Sequence, residues 1–215
     1  MTPADLKRRT RRILTALSNA YPDARCMLDY RNAYELLIAT VLAAQCTDRK
    51  VNEVTVALFA KYPSPADLAR AKLPTLEKEI RPTGFFRQKS KSIVNAAKAI
   101  VEDHGGEVPG TIDALTKLPG VGRKTANVVL GECFDQPGII VDTHFKRVTT
   151  LLGLTKNTDP DKIEADLDAL VPKRKRLLFS HLITFHGRAI CIARRPRCDK
   201  CTIRRWCNWY ATQKT

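Results

Sequence analysis

The chain has 215 residues, with 37 Lys and Arg against 22 Asp and Glu, a formal net charge of +15 and a sequence pI near 9.8. Its 44% hydrophobic and 27% charged residues are the composition of a folded globular protein, which excludes a generally disordered chain. The longest uncharged stretch, Leu36 to Thr47, has 12 residues and is too short for a bilayer-spanning helix.

Other whole-chain features set the remaining expectations. The start, MTPADLKRRTRR, lacks the apolar segment of a secretory signal, so a reducing, cytoplasmic location and no membrane partner are expected. Seven cysteines, an odd number, fit that compartment better than a disulfide framework. The charge is uneven. Residues 1–25 hold six basic and two acidic side chains, residues 171–215 hold twelve and one, and the intervening 145 residues carry 19 of each sign. If the basic ends meet, they form a positive lobe suited to DNA or RNA.

Apolar residues recur at helical spacing along the chain, and sustained period-two alternation is absent, so an all-α fold of about ten helices is expected. Asn32 with Glu35 reads as a capping box opening a helix over Tyr34 to Gln45, whose Leu36, Leu37, Val41 and Leu42 mark a central core element. Ser64-Pro65 starts another helix. A long amphipathic stretch runs from about Arg87 through Ile93, Ala97 and Ile100 to His104, where Gly105-Gly106 stops it.

Next come a short helix over Ile112 to Lys117, the turn Leu118-Pro119-Gly120-Val121-Gly122, and a helix over Arg123 to Phe134. A turn with two glycines can aim successive backbone N–H groups at a phosphate at a helix N-terminus, and Arg123 and Lys124 follow at once. The spacing is not that of a P-loop. Asp159-Pro160 opens a further helix. The run Lys173-Arg174-Lys175-Arg176 reads as a solvated, DNA-facing helix start, in preference to a nuclear-localisation or heparin-type patch. His181 and His186 are helix neighbours without nearby carboxylates and read as packed.

Cys191, Cys198, Cys201 and Cys207 are spaced C-x6-C-x2-C-x5-C within seventeen residues. Thiolates this close would repel one another without a metal, and zinc and a 4Fe-4S cluster are the candidates. Structural zinc sites usually join two close pairs across a dozen or more residues, so a single compact loop favours the cluster. Arg194, Arg195, Arg197, Lys200, Arg204 and Arg205 make the same loop basic. Cys26, Cys46 and Cys133 lie outside the pattern and read as buried small hydrophobes.

The run LPGVGRKTANVVL from Leu118 to Leu130, Val141-Asp142-Thr143-His144, LAAQCTD from Leu42 to Asp48, His186-Gly187-Arg188 with Cys191-Ile192-Ala193-Arg194, and the cysteine loop together resemble the endonuclease III family. This is the iron-sulfur type of the helix-hairpin-helix DNA glycosylase and abasic-site lyase superfamily, and the resemblance covers nearly the whole chain. It implies a two-lobed all-α fold. A helical barrel would span about 27–136, with the helix-hairpin-helix at about 111–134, and a discontinuous 4Fe-4S cluster domain would join 1–26 to 137–215. The four cysteines would be the ligands. The implied partner is damaged double-stranded DNA, bound by a monomer.

Residues alone leave Lys124 as a phosphate contact and Asp142 as a helix cap, but the resemblance assigns catalysis to both. An amine can displace a base from the anomeric carbon, leaving a Schiff base that permits strand cleavage by β-elimination. Only a neutral amine attacks, so the site must disfavour the charge of Lys124 or move its proton during reaction. Asp142 would stabilise positive charge on the sugar.

The hairpin residues Leu118, Gly120, Gly122 and Arg123, together with Arg195, would contact DNA, and His144 would cap or touch a phosphate. A base inside a duplex must be flipped out and the gap filled. Gln45 matches the family position that enters the stack. Phe85 or Phe86 stands where the family commonly carries a leucine wedge, and Cys46, where alanine or threonine is more usual, would border the lesion pocket. The expected activity is removal of oxidised or fragmented pyrimidines. The alternatives are an adenine or thymine mismatch glycosylase, disfavoured by Lys124 and by a chain that ends eight residues after Cys207, and a non-catalytic helix-hairpin-helix module with a structural metal.

Overall fold

A computed structural model describes residues 2–213, which form twelve α-helices and four short 3-10 turns, with no β-strand among them. The helices are α1 (Pro3–Ala20), α2 (Ala33–Leu42), α3 (Asp48–Lys61), α4 (Pro65–Ala69), α5 (Leu73–Ile80), α6 (Phe86–His104), α7 (Ile112–Lys117), α8 (Arg123–Cys133), α9 (Thr143–Leu152), α10 (Pro160–Leu170), α11 (Arg176–Ala189) and α12 (Asn208–Thr212). They fall into two compact units. One is Met27–Gln136, and the other joins the chain up to Cys26 to the chain from Pro137 onward.

In the Met27–Gln136 unit, α2 is the central element, with α3, α6 and α8 packed around it. Leu36, Leu37, Ile38, Ala39 and Leu42 are fully buried, each large side chain removing about 1.5–3 kcal/mol of apolar exposure from water. Asn32 caps the helix, its side chain accepting the Glu35 N–H at 2.9 Å. The reciprocal half of the expected capping box is not made. The Glu35 carboxylate instead accepts the Arg31 backbone N–H at 2.7 Å and its guanidinium at 2.8 Å.

The helix ends at Leu42, three residues short of the expected Gln45, because the chain turns through Ala43 and Ala44 into a left-handed Gln45 at φ 54°. Helix α6 presents Lys89, Ser90, Ile93, Val94, Ala97 and Ile100 to the core and stops where Gly105 takes φ 61°, a conformation glycine adopts without steric cost.

The second unit has its own core. Ile13 and Leu17 of α1 pack with Phe145, Phe179, Leu182 and Ile183, and the rings of Phe145 and Phe179 meet edge to face at 6.0 Å and 85°. Asp159 caps α10 ahead of Pro160. Both basic chain ends belong to this unit, where Arg11 and Arg12 line a groove with Arg205 and Trp206. The basic run splits: Lys173, Arg174 and Lys175 form an exposed 3-10 turn, whereas Arg176 pairs with Asp168 at 3.0 Å. Cys26, Cys46 and Cys133 are only half-buried, because each lies at a loop or helix end where the core thins, so they are not the buried hydrophobes expected.

Candidate functional site

The glycine turn joins α7 to α8. Leu118 and Val121 anchor it in the core, while Gly120, Gly122, Arg123 and Lys124 are exposed. The two glycines have different reasons to be there. Gly120 has φ 77°, and a Cβ on it would lie 2.6 Å from the Cβ of Ser92 in α6, so both backbone conformation and space require glycine. Gly122, the N-cap of α8, has an ordinary φ of −90°, and a Cβ there would meet nothing within 4 Å. The N-cap of α8 supplies no side-chain cap, and its first turn carries the exposed Arg123 and Lys124.

Two further turns of the same unit carry Gln45 and Phe85. Both residues are left-handed without being glycine, at φ 54° and 47°, and both are exposed, Phe85 by 64%. The neighbouring Phe86 is engaged, its ring lying 6.0 Å from the Arg81 guanidinium and 5.6 Å from that of Arg87. Phe85 is thus the free aromatic of the pair.

Asp142 is the N-cap of α9, its Oδ1 accepting the Phe145 N–H at 2.6 Å. His144 stands in the first turn, with Nδ1 3.2 Å from Arg147 Nη2. Arg147 also donates to the backbone carbonyl of Gly187 at 2.9 Å and to that of Cys191 at 2.8 Å. Lys124 and Asp142 belong to different units, the former in the barrel and the latter just after its end.

Cys191, Cys198, Cys201 and Cys207 line one cavity together with Val148, Leu152 and Ile203. Among the described residues, no group of three or more His, Cys, Asp or Glu side chains is placed to hold a metal ion. Burial pushes the Cys191 thiol up to about 11 and raises those of Cys198 and Cys201, with neighbouring cysteines adding to each rise. Ionising the set therefore needs a compensating positive charge. His186 is buried and packed, as its sequence context suggested. Its Nδ1 lies 3.0 Å from the Tyr21 hydroxyl and its Nε2 3.4 Å from the Cys201 sulfur, and burial lowers its pKa to about 4, which keeps the ring neutral. Arg195 is exposed on the same loop.

The sequence from residues 38–173 matches the HhH-GPD superfamily base excision DNA repair protein family. Over 205 residues the chain is 49% identical to the endonuclease III of Synechocystis sp., covering 95% of this chain and 94% of that one. The chain belongs to the endonuclease III family. Endonuclease III of Bacillus subtilis is 44% identical over 195 residues, 90% of this chain and 89% of its own. A solved structure described as a trapped endonuclease III–DNA covalent intermediate is 40% identical, matches 100% of both chains and superposes with a TM-score of 0.93. The endonuclease III fold thus runs through the whole chain.

Sequence reasoning passed over two residues that the structure ties to these segments. Lys89 is 5% exposed, and its position four residues before Ile93 on the apolar stripe of α6 was a readable signal. Arg147 gave none, because its partners are backbone carbonyls 40 and 44 residues away.

Proposed function

We propose that the chain excises oxidised or fragmented pyrimidines from duplex DNA, with Lys124 as nucleophile and Asp142 as the carboxylate that stabilises positive charge on the sugar. Membership in the family makes the chain a base excision repair enzyme, a DNA glycosylase with abasic-site lyase activity. In the proposed reaction the Lys124 Nζ lone pair forms a bond to C1′, and the base leaves with the electrons of its glycosidic bond. The resulting N,O-acetal opens to a Schiff base as the C1′–O4′ bond breaks and O4′ takes up the proton released by the amine, and loss of the C2′ proton then expels the 3′ phosphate by β-elimination.

The observation that carries this reading is the pairing of an exposed Lys124 with an uncapped helix start behind Gly122, where a Cβ would meet only open space. Glycine at that position has no cause inside the protein, and the close approach of a phosphate supplies one. The trapped covalent intermediate of a 40% identical relative supports a covalent route.

Leu118, Gly120, Gly122 and Arg123 would hold the damaged strand through the hairpin, with His144 and Arg195 on further phosphates. Gln45 and Phe85 would enter the stack as the lesion leaves it; an aromatic on an orphaned base contributes about 1–3 kcal/mol. The four cysteines suit a 4Fe-4S cluster, which they would hold through one sulfur each, and such a cluster would supply the positive charge and the cross-link that four neighbouring, half-buried thiolates need. The protein would act as a monomer on cytoplasmic, nucleoid DNA.

Borohydride reduction on a duplex carrying thymine glycol tests the mechanism. A covalent adduct should form with the native chain and disappear, together with strand cleavage, in Lys124→Ala, while DNA binding persists. Base release by the native chain without any adduct would overturn the lysine mechanism.

A further inference from the structure

Lys89 is a buried ammonium whose two hydrogen bonds go to backbone. Its Nζ donates to the carbonyl of Leu42 at 2.8 Å and to that of Thr83 at 2.7 Å. Among the described residues no carboxylate pairs with it, and burial lowers its pKa, with Cys46 opposing that shift. An unpaired charge in this position is unfavourable for the fold, and an apolar side chain of the same length could fill the space without it.

The positions of the two acceptors suggest what the charge does. Leu42 is the last residue of α2, so its carbonyl lacks an intrahelical partner and sits at the negative end of the helix. Thr83 closes the 3-10 turn Arg81–Thr83, and its own hydroxyl donates back to Ile80 at 2.8 Å. Three residues after Leu42 comes Gln45, and two after Thr83 comes Phe85, the left-handed, exposed residues of their turns. Left-handed non-glycine residues persist only where their surroundings over-determine them.

We propose that Lys89 is a positioning residue, whose ammonium clasps the carbonyl ends of both turns so that Gln45 and Phe85 enter the duplex as a pair. This rests on the reading that those two side chains insert. The recognised element is the gap left by a missing or flipped nucleotide and the orphaned base opposite it.

The test uses a duplex with a tetrahydrofuran abasic analogue opposite 2-aminopurine, whose fluorescence reports unstacking by an inserted side chain. Lys89→Met should remove most of the fluorescence change and weaken binding to the abasic duplex about tenfold, with binding to undamaged duplex unchanged. In the Lys89→Met background, adding Gln45→Ala and Phe85→Ala should cost little more, since Lys89 acts through them. Full additivity, or an unchanged fluorescence response in folded Lys89→Met, would overturn the proposal.

Should Lys89→Met fail to fold, the native protein decides. The Lys89 ammonium should give a slowly exchanging nitrogen-bound proton signal that persists in the abasic-duplex complex, and its loss on binding rejects the clasp. Gln45→Ala with Phe85→Ala in an otherwise native chain tests insertion by itself. A full fluorescence response there removes the insertion reading, whatever Lys89 does.

Discussion

The guanidinium of Arg147 donates to the backbone carbonyl of Cys191 twice, from Nε at 3.2 Å and from Nη2 at 2.8 Å. The helix capped by Asp142 thereby grips the first cysteine of the four-cysteine loop. Hydrogen bonds from charged donors contribute about 1.5–3 kcal/mol each. Arg147→Met should lower thermal stability and weaken DNA binding together, whereas Arg204→Met, on an exposed part of the same loop, should leave the unfolding temperature nearly unchanged. Equal unfolding temperatures for the two variants would show that the grip carries no stability.

Two glycines two residues apart should respond in opposite ways. Gly120→Ala places a methyl 2.6 Å from Ser92 Cβ at a φ of 77°, and should destabilise the fold by about 1–3 kcal/mol in denaturant titration, partly restored by Ser92→Gly. Gly122→Ala meets no protein atom and should change stability by less than about 1 kcal/mol while weakening affinity for damaged duplex.

Asp142 combines a cap with a charge, and substitution can separate them. Asparagine caps as well as aspartate, so Asp142→Asn should keep the bond to Phe145 N–H and the stability but lose base excision. Asp142→Ala should lose excision and about 1 kcal/mol besides. If Asp142→Asn excises normally, the carboxylate charge has no part in the chemistry.

Metal analysis tests the cysteine loop. The purified protein should contain iron and inorganic sulfide in equal amounts, and Cys201→Ser should lower both. Zinc in place of iron would reject the cluster.

Salt titration tests the basic loop. The logarithm of the binding constant should fall linearly with the logarithm of salt, and Arg195→Ala should reduce the slope by about one if it meets a phosphate. An unchanged slope would remove Arg195 from the interface.

Local chemistry was legible in the sequence, and distant partners were not. Asn32, Ser64 and Asp159 mark helix starts because a cap and its target lie within three residues. The end of α2 was unreadable, since Ala43 and Ala44 favour helix and the carbonyl of Leu42 is met by a lysine 47 residues downstream. The capping box failed for a local reason instead: Arg31, four residues before Glu35, holds its carboxylate through both backbone N–H and guanidinium. The hairpin and the cysteines could be picked out because their spacing is itself the signal, whereas Lys124 and Asp142 were singled out only by the family resemblance. Arg147 and Lys89 bind carbonyls, which every residue possesses, so no residue type marks the acceptor.

The far end of the four-cysteine loop is held as well as the near one. Arg9 donates at 2.6 Å to Asn208, the residue after Cys207, and at 2.9 Å to the carbonyl of Gly153 at the end of α9. The seventeen-residue loop is therefore a closed polymer ring whose ends are both fixed near one helix. Bringing such ends together costs about 2.5 kcal/mol of chain entropy. Here that loss is met by Arg9 of α1 and Arg147 of α9, whose guanidiniums hold the two ends of the loop without using a cysteine sulfur.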